Sequence, residues 1–289
     1  MATLTAERVY DDGESAPYAP DLYHYDHIAT DGINGLENVT DADIARFDQE
    51  GYLVIHNAFT PAEAQNGIAG LLRLLSGAVT EYNGVMYERV AAGVPVEEMI
   101  PEQRQDYVRK FMWFEKHDER LHHMAHHPKL LSVVERLIGE TPHLFQDMAL
   151  LKPPHIGREK PWHQDHAYFE LPLNARVVGC WIALDEATTE NGCMIVIPGT
   201  HRQGPVVHFK RRDFQICDTH IKNQGATAVP LKPGGCLLFS SLIHHGTPTN
   251  NSGLRRRAVQ FHYRPASAPK TSVEERLAIF GGDGKGVTC

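Results

Sequence analysis

A polar run near the middle of the chain carries residues that could bind a metal ion. Pro161-Trp162-His163-Gln164-Asp165 reads as an extended segment. Because strand side chains alternate between two faces, His163 and Asp165 share a face. A distant histidine in Ile243-His244-His245-Gly246-Thr247 would complete three ligands on one side of an ion. Two imidazoles and a carboxylate occupy half of an octahedral shell, which is the arrangement of facial-triad iron sites that keep positions open for reactants.

The residue types argue against a purely structural ion. A structural zinc site closes its shell with four ligands, often thiolates. No cysteine lies beside either half of the motif. The sequence therefore predicts a metal centre with open coordination.

An arginine follows the distant histidine across a loop. The segment between His245 and Arg256 is rich in Gly, Pro, Asn and Ser, which predicts a hairpin that sets the two residues on neighbouring strands. A guanidinium can grip a carboxylate with two hydrogen bonds. Arg255 and Arg257 would face the opposite side of the strand, so alternation favours a single inward arginine.

Together these residues resemble the phytanoyl-CoA dioxygenase-like family of Fe(II)/2-oxoglutarate oxygenases. The resemblance covers roughly residues 41–264. It is specific because order and spacing both hold for Lys152-Pro153-Pro154, Trp162-His163-Gln164-Asp165, Trp181, Glu190-Asn191-Gly192-Cys193, Ile197-Pro198-Gly199-Thr200-His201, His245-Gly246-Thr247, Asn250 and Arg256.

The resemblance implies a role for each matching residue. His163, Asp165 and His245 would bind Fe(II), and the Gly-Thr that follows selects His245 over His244. The 2-oxoglutarate co-substrate would be held at its distal carboxylate by Arg256 and Thr247. The remaining pocket residues implied by the family are Lys110, with Arg109 as an adjacent alternative, Met148 and Trp181.

The resemblance also implies an oxidative reaction. Fe(II), 2-oxoglutarate and O2 would hydroxylate a small-molecule substrate and release succinate and CO2, with desaturation, ring formation or epoxidation left open. Asp165 argues against a halogenase, because those enzymes lack the carboxylate ligand. Two alternatives remain: a cupin-like zinc or manganese hydrolase or isomerase, which has no need for Arg256, and a non-catalytic member that binds 2-oxoglutarate. The identity of the substrate and the oligomeric state are not encoded in any readable motif.

Hydrophobic periodicity predicts helices first and short strands afterwards. Thr40 and Thr60 are predicted N-caps of helices over 41–50 and from Pro61, with further helices over 102–106 and 128–137. Predicted strands cover 52–55, 144–151, 176–184, 194–197, 226–231, 237–239 and 258–263. This order predicts a jelly roll (double-stranded β-helix) buttressed by helices, in an α+β chain that is mainly β.

We divide the chain into an irregular arm at 1–38 and one domain at 39–289. Within the domain we predict helical support at 39–140, a jelly-roll core at 141–265 and a tail at 266–289. The arm could cap the active site, although a peripheral position is favoured.

Composition excludes several classes of function. The net charge of −8 and the lack of a broad basic tract argue against nucleic-acid or anionic-membrane binding. No apolar run is long enough to span a membrane. Five cysteines without a CxxC pair suggest a reducing compartment. With no secretory leader, transit pattern or peroxisomal address in view, we expect a cytoplasmic location.

Other conspicuous segments receive simpler interpretations. His122 to His127 suggest a metal cluster, but no carboxylate is spaced to share the ion, so we favour a solvated helix face. Lys210-Arg211-Arg212 with Lys222 could recognise an anionic substrate, although a solvated charge run is favoured. Tyr168 and Phe169 could form an apolar wall of the pocket or belong to the core.

Overall fold

Two β-sheets packed face to face dominate the computed structural model, which describes residues 8–14, 16–221 and 225–282. The helices are α1 Asp41–Glu50, α2 Pro61–Leu75, α3 Pro101–Arg104, α4 Glu119–Ala125, α5 Pro128–Ile138, α6 Asp218–Ile221 and α7 Val273–Phe280. The strands are β1 Val9–Tyr10, β2 His27–Ile28, β3 Ile33–Asn34, β4 Tyr52–His56, β5 Val85–Tyr87, β6 Val108–Met112, β7 Pro142–Lys152, β8 Lys160–His163, β9 Val178–Ala183, β10 Met194–Ile197, β11 His208–Lys210, β12 Phe214–Ile216, β13 Thr227–Val229, β14 Cys236–Ser240, β15 His244–Thr247 and β16 Arg256–Pro265.

The larger sheet has the strand order β1-β5-β6-β7-β16-β9-β14-β4-β3, and the smaller one β2-β13-β10-β15-β8. In the described part of the chain, β11 and β12 pair only with each other. The central pairings β7–β16, β16–β9 and β9–β14 are antiparallel, as a jelly roll requires. The predicted fold class, a jelly roll supported by helices, is confirmed.

Side-chain alternation along the larger sheet separates two cores. On β9, Cys180 and Ile182 join a cluster shared with helices α1, α2 and α5, whereas Trp181 and Ala183 join a cluster shared with the smaller sheet. On β16, Val259 and Phe261 likewise belong to the helix side. The even-numbered residues of β16 and β7 therefore point into the barrel.

The helix boundaries follow the predicted capping signals. The Thr40 hydroxyl accepts from the Asp43 N–H and starts α1, which ends at Gly51 in the left-handed region at φ 84°. Thr60 and Glu63 form the equivalent capping box of α2. Each such cap contributes about 0.5–2 kcal/mol of stability. These helices, α5 and all the strands predicted from periodicity are confirmed within a few residues.

Three parts of the prediction need correction. The arm is not wholly irregular, because β1, β2 and β3 pair in parallel with β5, β13 and β4. Residues 39–140 contain, besides the predicted strand β4, the strands β5 and β6 of the larger sheet. The tail contains α7, whose Ser272 and Glu275 form a capping box. Strands of two or three residues carry no period of their own and form only through pairing; the division into an arm and one domain remains a prediction.

Candidate active site

Strand pairing brings the three predicted metal ligands together. His163 is the last residue of β8, and His245 lies directly opposite it on the antiparallel strand β15. Asp165 begins the 3-10 turn Asp165–Tyr168, one extended residue beyond the strand. Alternation therefore holds past the end of β8, and the Asp165 carboxylate faces the two imidazoles.

The three donor groups converge at distances that a single ion could bridge. His163 Nε2 lies 3.1 Å and His245 Nε2 3.6 Å from Asp165 Oδ1. All the candidate ligand atoms lie within 4.8 Å of one another, and all three residues are buried. His244 lies outside this group, with its ring centroid 5.8 Å from that of His220.

Hydrogen bonds fix which imidazole nitrogen faces the centre. His163 Nδ1 donates to the Pro161 carbonyl at 2.8 Å, and His245 Nδ1 donates to the Ile243 carbonyl at 3.1 Å. A carbonyl can only accept, so Nδ1 of each ring carries a proton, and Nε2 is the nitrogen that faces the centre. Metal-binding histidines are oriented in this way.

Two residues that the sequence analysis missed hold the Asp165 carboxylate. His262 Nε2 lies 2.7 Å from Asp165 Oδ2, and Gln260 Nε2 donates to the same oxygen at 3.2 Å. Both side chains are buried and lie on the interior face of β16. Oδ1 is thereby left to face the histidines. The sequence did indicate both residues. Gln260 and His262 lie four and six positions after Arg256 on one strand, so strand alternation places all three on the same face.

Burial controls the charges of the ligands. It lowers the pKa of His163 to about 4, helped by the neighbouring His245, so the imidazole is neutral at physiological pH. Burial alone would raise the pKa of Asp165, but His245 and His262 outweigh it and hold that pKa well below its usual range. Neutral imidazoles with an ionised carboxylate are the donor set that a divalent iron ion requires.

A cavity of about 170 Å³ adjoins the three ligands. On this measure a water needs about 10–15 Å³, so the cavity has room for a small organic molecule. Every residue predicted to contact the co-substrate lines it, namely Lys110, Met148, Trp181, Thr247 and Arg256.

Among the described residues, no carboxylate pairs with the buried guanidinium of Arg256. Its Nη1 donates to the Leu150 carbonyl at 3.1 Å, its Nε is buried without a hydrogen-bond partner, and its guanidinium lies 5.4 Å from the Trp181 ring. Burial, together with Arg109, lowers the pKa of Arg256 to about 9. An anion entering the cavity would relieve this cost, so the pocket fits a carboxylate.

The neighbouring arginines are already paired. Arg255 contacts Asp106, and Arg257 contacts Asp185, in each case through two guanidinium nitrogens. Alternation on β16 thus directs only Arg256 inward.

The other cationic residues of the cavity differ in their availability. Arg109 donates to the carbonyls of Arg158 and Glu159, so its guanidinium is held by the backbone. Lys110 pairs with Asp11, and burial with Lys160 and Arg109 nearby lowers the pKa of Lys110 to about 7. Because Asp11 belongs to the N-terminal arm, the favoured peripheral position of the arm is wrong for this segment.

Two motif residues support the site from beside the cavity. The Lys152 Nζ donates to the carbonyls of Arg158 and Pro248 at 2.6 Å each. Asn250 Nδ2 donates to the carbonyls of Lys152 and Leu254. Their role is to fix the loops around β15, which keeps the ligand strand in register.

Three further segments of the sequence analysis lie in defined surroundings in the structure. Tyr168 and Phe169 both line the cavity. The basic run is not wholly solvated, because Arg212 is buried and pairs with Glu159 and Asp218, while Lys222 lies outside the described residues. His122 and His126 share a carboxylate partner, Glu115, contrary to expectation. Glu115 was missed because it comes from the turn before α4.

Solved structures first place the chain in a structural class. EctD from S. alaskensis in its apoform superimposes with a TM-score of 0.67 at 21% identity, covering 96% of each chain. The non-heme alpha ketoglutarate dependent carbocyclase SnoK from nogalamycin biosynthesis gives 0.64 at 21% identity, covering 85% of this chain and 92% of that one. These likenesses show a shared fold.

Sequence comparison then gives the family. The profile of the family described as Phytanoyl-CoA dioxygenase (PhyH) matches residues 47–258, so the chain belongs to this dioxygenase family. Phytanoyl-CoA dioxygenase domain-containing protein 1 of Danio rerio is 26% identical, covering 78% of this chain and 90% of its own length. Peroxisomal phytanoyl-CoA dioxygenase of Bos taurus is also 26% identical, covering 94% and 80%.

Compartment is not decided by these findings. Within the described ranges, no helix is long and apolar enough to cross a membrane. The predicted cytoplasmic location stays a prediction, since one of the relatives is named as peroxisomal.

Proposed function

We propose that the chain is an Fe(II)- and 2-oxoglutarate-dependent oxygenase that hydroxylates an unactivated C–H bond of a small molecule. The observation that carries this proposal is a single buried cavity that holds both the His163, Asp165 and His245 group and the unpaired guanidinium of Arg256. A zinc or manganese hydrolase has no use for that guanidinium. A non-catalytic binder would not need three oriented ligands.

The chain's own residues would divide the work. His163, Asp165 and His245 would hold Fe(II) and leave half of its shell open. Arg256, with Thr247 beside it, would bind the distal carboxylate, and the Trp181 ring would position the guanidinium. Bound Fe(II) with 2-oxoglutarate and O2 supplies the oxidation, in which one oxygen atom enters succinate, the other enters the substrate as hydroxyl, and CO2 is released.

Buried apolar walls would protect this chemistry. Phe169 and Met194 are buried and line the cavity, whereas Tyr168 is 37% exposed and lies at a less enclosed part of the lining. Lys160 donates to the Tyr168 hydroxyl at 2.9 Å and pairs with Asp213, so this wall is held in place. The substrate would approach past Tyr168, where the lining is most exposed.

The proposal also specifies hydroxylation as the outcome of the oxidation. The structural relatives include an epimerase, SnoN, and the carbocyclase SnoK. We favour hydroxylation because the chain retains Asp165 and three open coordination positions would serve it directly. Desaturation or cyclisation by the same oxidant remains the competing outcome.

Two measurements test the proposal. Anaerobic addition of Fe(II) and 2-oxoglutarate should produce the weak visible charge-transfer band of their chelate, and its absence with iron bound would contradict the function. Substrate candidates are then screened by succinate release and product mass. A gain of one oxygen supports hydroxylation, whereas a loss of two hydrogens or an unchanged mass would overturn that part.

A further inference from the structure

A second group of metal-binding side chains lies outside the barrel. Glu115 Oε1 lies 2.6 Å from His122 Nδ1 and 2.9 Å from His126 Nε2. The two imidazole centroids are 4.4 Å apart, and the candidate ligand atoms all lie within 4.8 Å of one another. This group shares no residue with the His163, Asp165 and His245 site.

Local structure holds the three side chains in this arrangement. His122 and His126 are one turn apart at the carboxyl end of α4, so their rings share a face of the helix. Glu115 begins the 3-10 turn that precedes α4, and its N–H donates to Asp147 Oδ2 at 3.0 Å. Asp118 caps α4 through the Arg120 N–H. The carboxylate and the helix are therefore positioned independently of any ion.

The surroundings do not oppose a cation. Arg73, Lys116 and Arg120 line the same groove. Both guanidinium groups contact the Asp118 carboxylate, at 3.3 Å and 2.7 Å, and Lys116 is exposed to solvent. Glu115 is mostly buried, whereas the His122 and His126 side chains are 55% and 41% exposed. An ion could reach the histidines from solvent while the carboxylate limits its hydration on the other side.

We propose that Glu115, His122 and His126 form a second metal site that binds a divalent transition ion such as Zn²⁺. Two imidazoles and a carboxylate are borderline and hard donors that suit Zn²⁺, with solvent water completing a tetrahedral shell. Without the ion, each imidazole nitrogen facing Glu115 carries a proton that it donates to the carboxylate. On binding, those nitrogens give up their protons to the other ring nitrogen or to solvent.

Occupancy of this site would stabilise the junction between the barrel and its helical layer. The ion would tie the turn after β6 to α4, and Asp147 on β7 already holds the same turn through the N–H groups of Phe114 and Glu115. An ion that binds only the folded chain raises its stability in proportion to its occupancy. The expected effect of the ion is therefore on stability.

The number and affinity of Zn²⁺ ions bound to the full-length protein are measured by competition with a chromophoric chelator. The number matters because His163, Asp165 and His245 would also bind this ion. Wild type should bind one equivalent more than His122→Ala, or bind it at least about a hundredfold more tightly, since loss of even a supporting residue costs 10–100-fold. His123→Ala is the matched control. Its side chain is 64% exposed at the next position of α4.

Thermal denaturation gives a second readout that does not depend on activity. Zn²⁺ should raise the melting temperature of wild type and of His123→Ala, each compared with its own metal-free sample, by more than it raises that of His122→Ala. Equal Zn²⁺ uptake by wild type and His122→Ala would overturn the proposal. Loss of Zn²⁺ uptake in His123→Ala instead of His122→Ala would also overturn it. That result would assign the ion to Glu63 with His123 and His127, whose nitrogens lie 3.9 Å and 3.7 Å from the Glu63 carboxylate.

Discussion

Replacing Arg256 should weaken co-substrate binding and raise the stability of the ligand-free protein. In Arg256→Met the buried carboxylate of 2-oxoglutarate would lose its cation, and breaking such a pair costs about 3–5 kcal/mol. At about 1.4 kcal/mol for each factor of ten, the dissociation constant should rise by roughly two to three and a half orders of magnitude. The same change should stabilise the protein when no ligand is bound.

The stabilisation follows from the direction of the pKa shift. Burial lowers the pKa of Arg256 from 12.5 to about 9, so the folded state holds its charge less readily than the unfolded chain. This cost is fully present below pH 9 and is relieved between about pH 9 and 12.5. At about 1.36 kcal/mol for each unit, its upper bound is about 5 kcal/mol. Methionine fills similar volume without a charge, so it should recover part of that amount.

The assay measures both quantities on the same proteins. Isothermal titration with Fe(II) present gives the 2-oxoglutarate affinity, and denaturant unfolding without ligand gives the free energy of unfolding. Arg255→Met is the matched control, because Arg255 pairs with Asp106 on the outside of the strand. Unchanged 2-oxoglutarate affinity in Arg256→Met, with a loss in Arg255→Met, would refute the assignment. A large loss of stability in ligand-free Arg256→Met would refute the argument from burial.

Three further predictions concern the ligands and their surroundings. His163→Ala and Asp165→Ala should each abolish turnover while leaving the circular dichroism spectrum unchanged; activity in both variants would exclude the triad. His262→Leu should weaken Fe(II) binding about 10–100-fold, because His262 orients the Asp165 carboxylate, and an unchanged Fe(II) dissociation constant would contradict this role. Metal-free stability should fall from pH 6.5 to pH 4, since burial lowers the pKa values of His163, His208 and His244 to about 4, 3 and 4, so that only the unfolded chain takes up protons in this range. The free energy of unfolding, measured in denaturant at pH 7 and pH 5, should differ by up to about 2 kcal/mol for each of these histidines. Equal free energies at the two pH values would contradict the lowered pKa values of the buried histidines.

Interactions within a few residues of each other were predictable from sequence. The N-caps at Thr40 and Thr60 depend only on residues within three positions, and both form as predicted, each as part of a capping box. The facing of His163 and Asp165 depends only on strand alternation. The capping box at Ser272 obeys the same rule, and it was overlooked rather than unreadable.

Interactions between separate elements were not predictable in this way. The pairing of Asp11 with Lys110, and that of Glu115 with His122, joins segments whose relative position depends on the pairing of β1 with β5 and on the turn between β6 and α4. Neither segment has a periodic sequence pattern from which its partner could be predicted. Such contacts contribute to stability only after the strands have assembled.

From the sequence by itself, strand alternation determined that His163 and Asp165 share a face and that Arg256 points inward, and the order of helices and strands predicted the jelly roll, whereas the choice of His245 as third ligand came from the family resemblance. Tertiary structure alone decided that His262 and Gln260 hold Oδ2 of Asp165 and that, among the described residues, no carboxylate pairs with Arg256. The reason is physical: whether a polar group is satisfied depends on every element packed around it, and burial exists only once those elements meet.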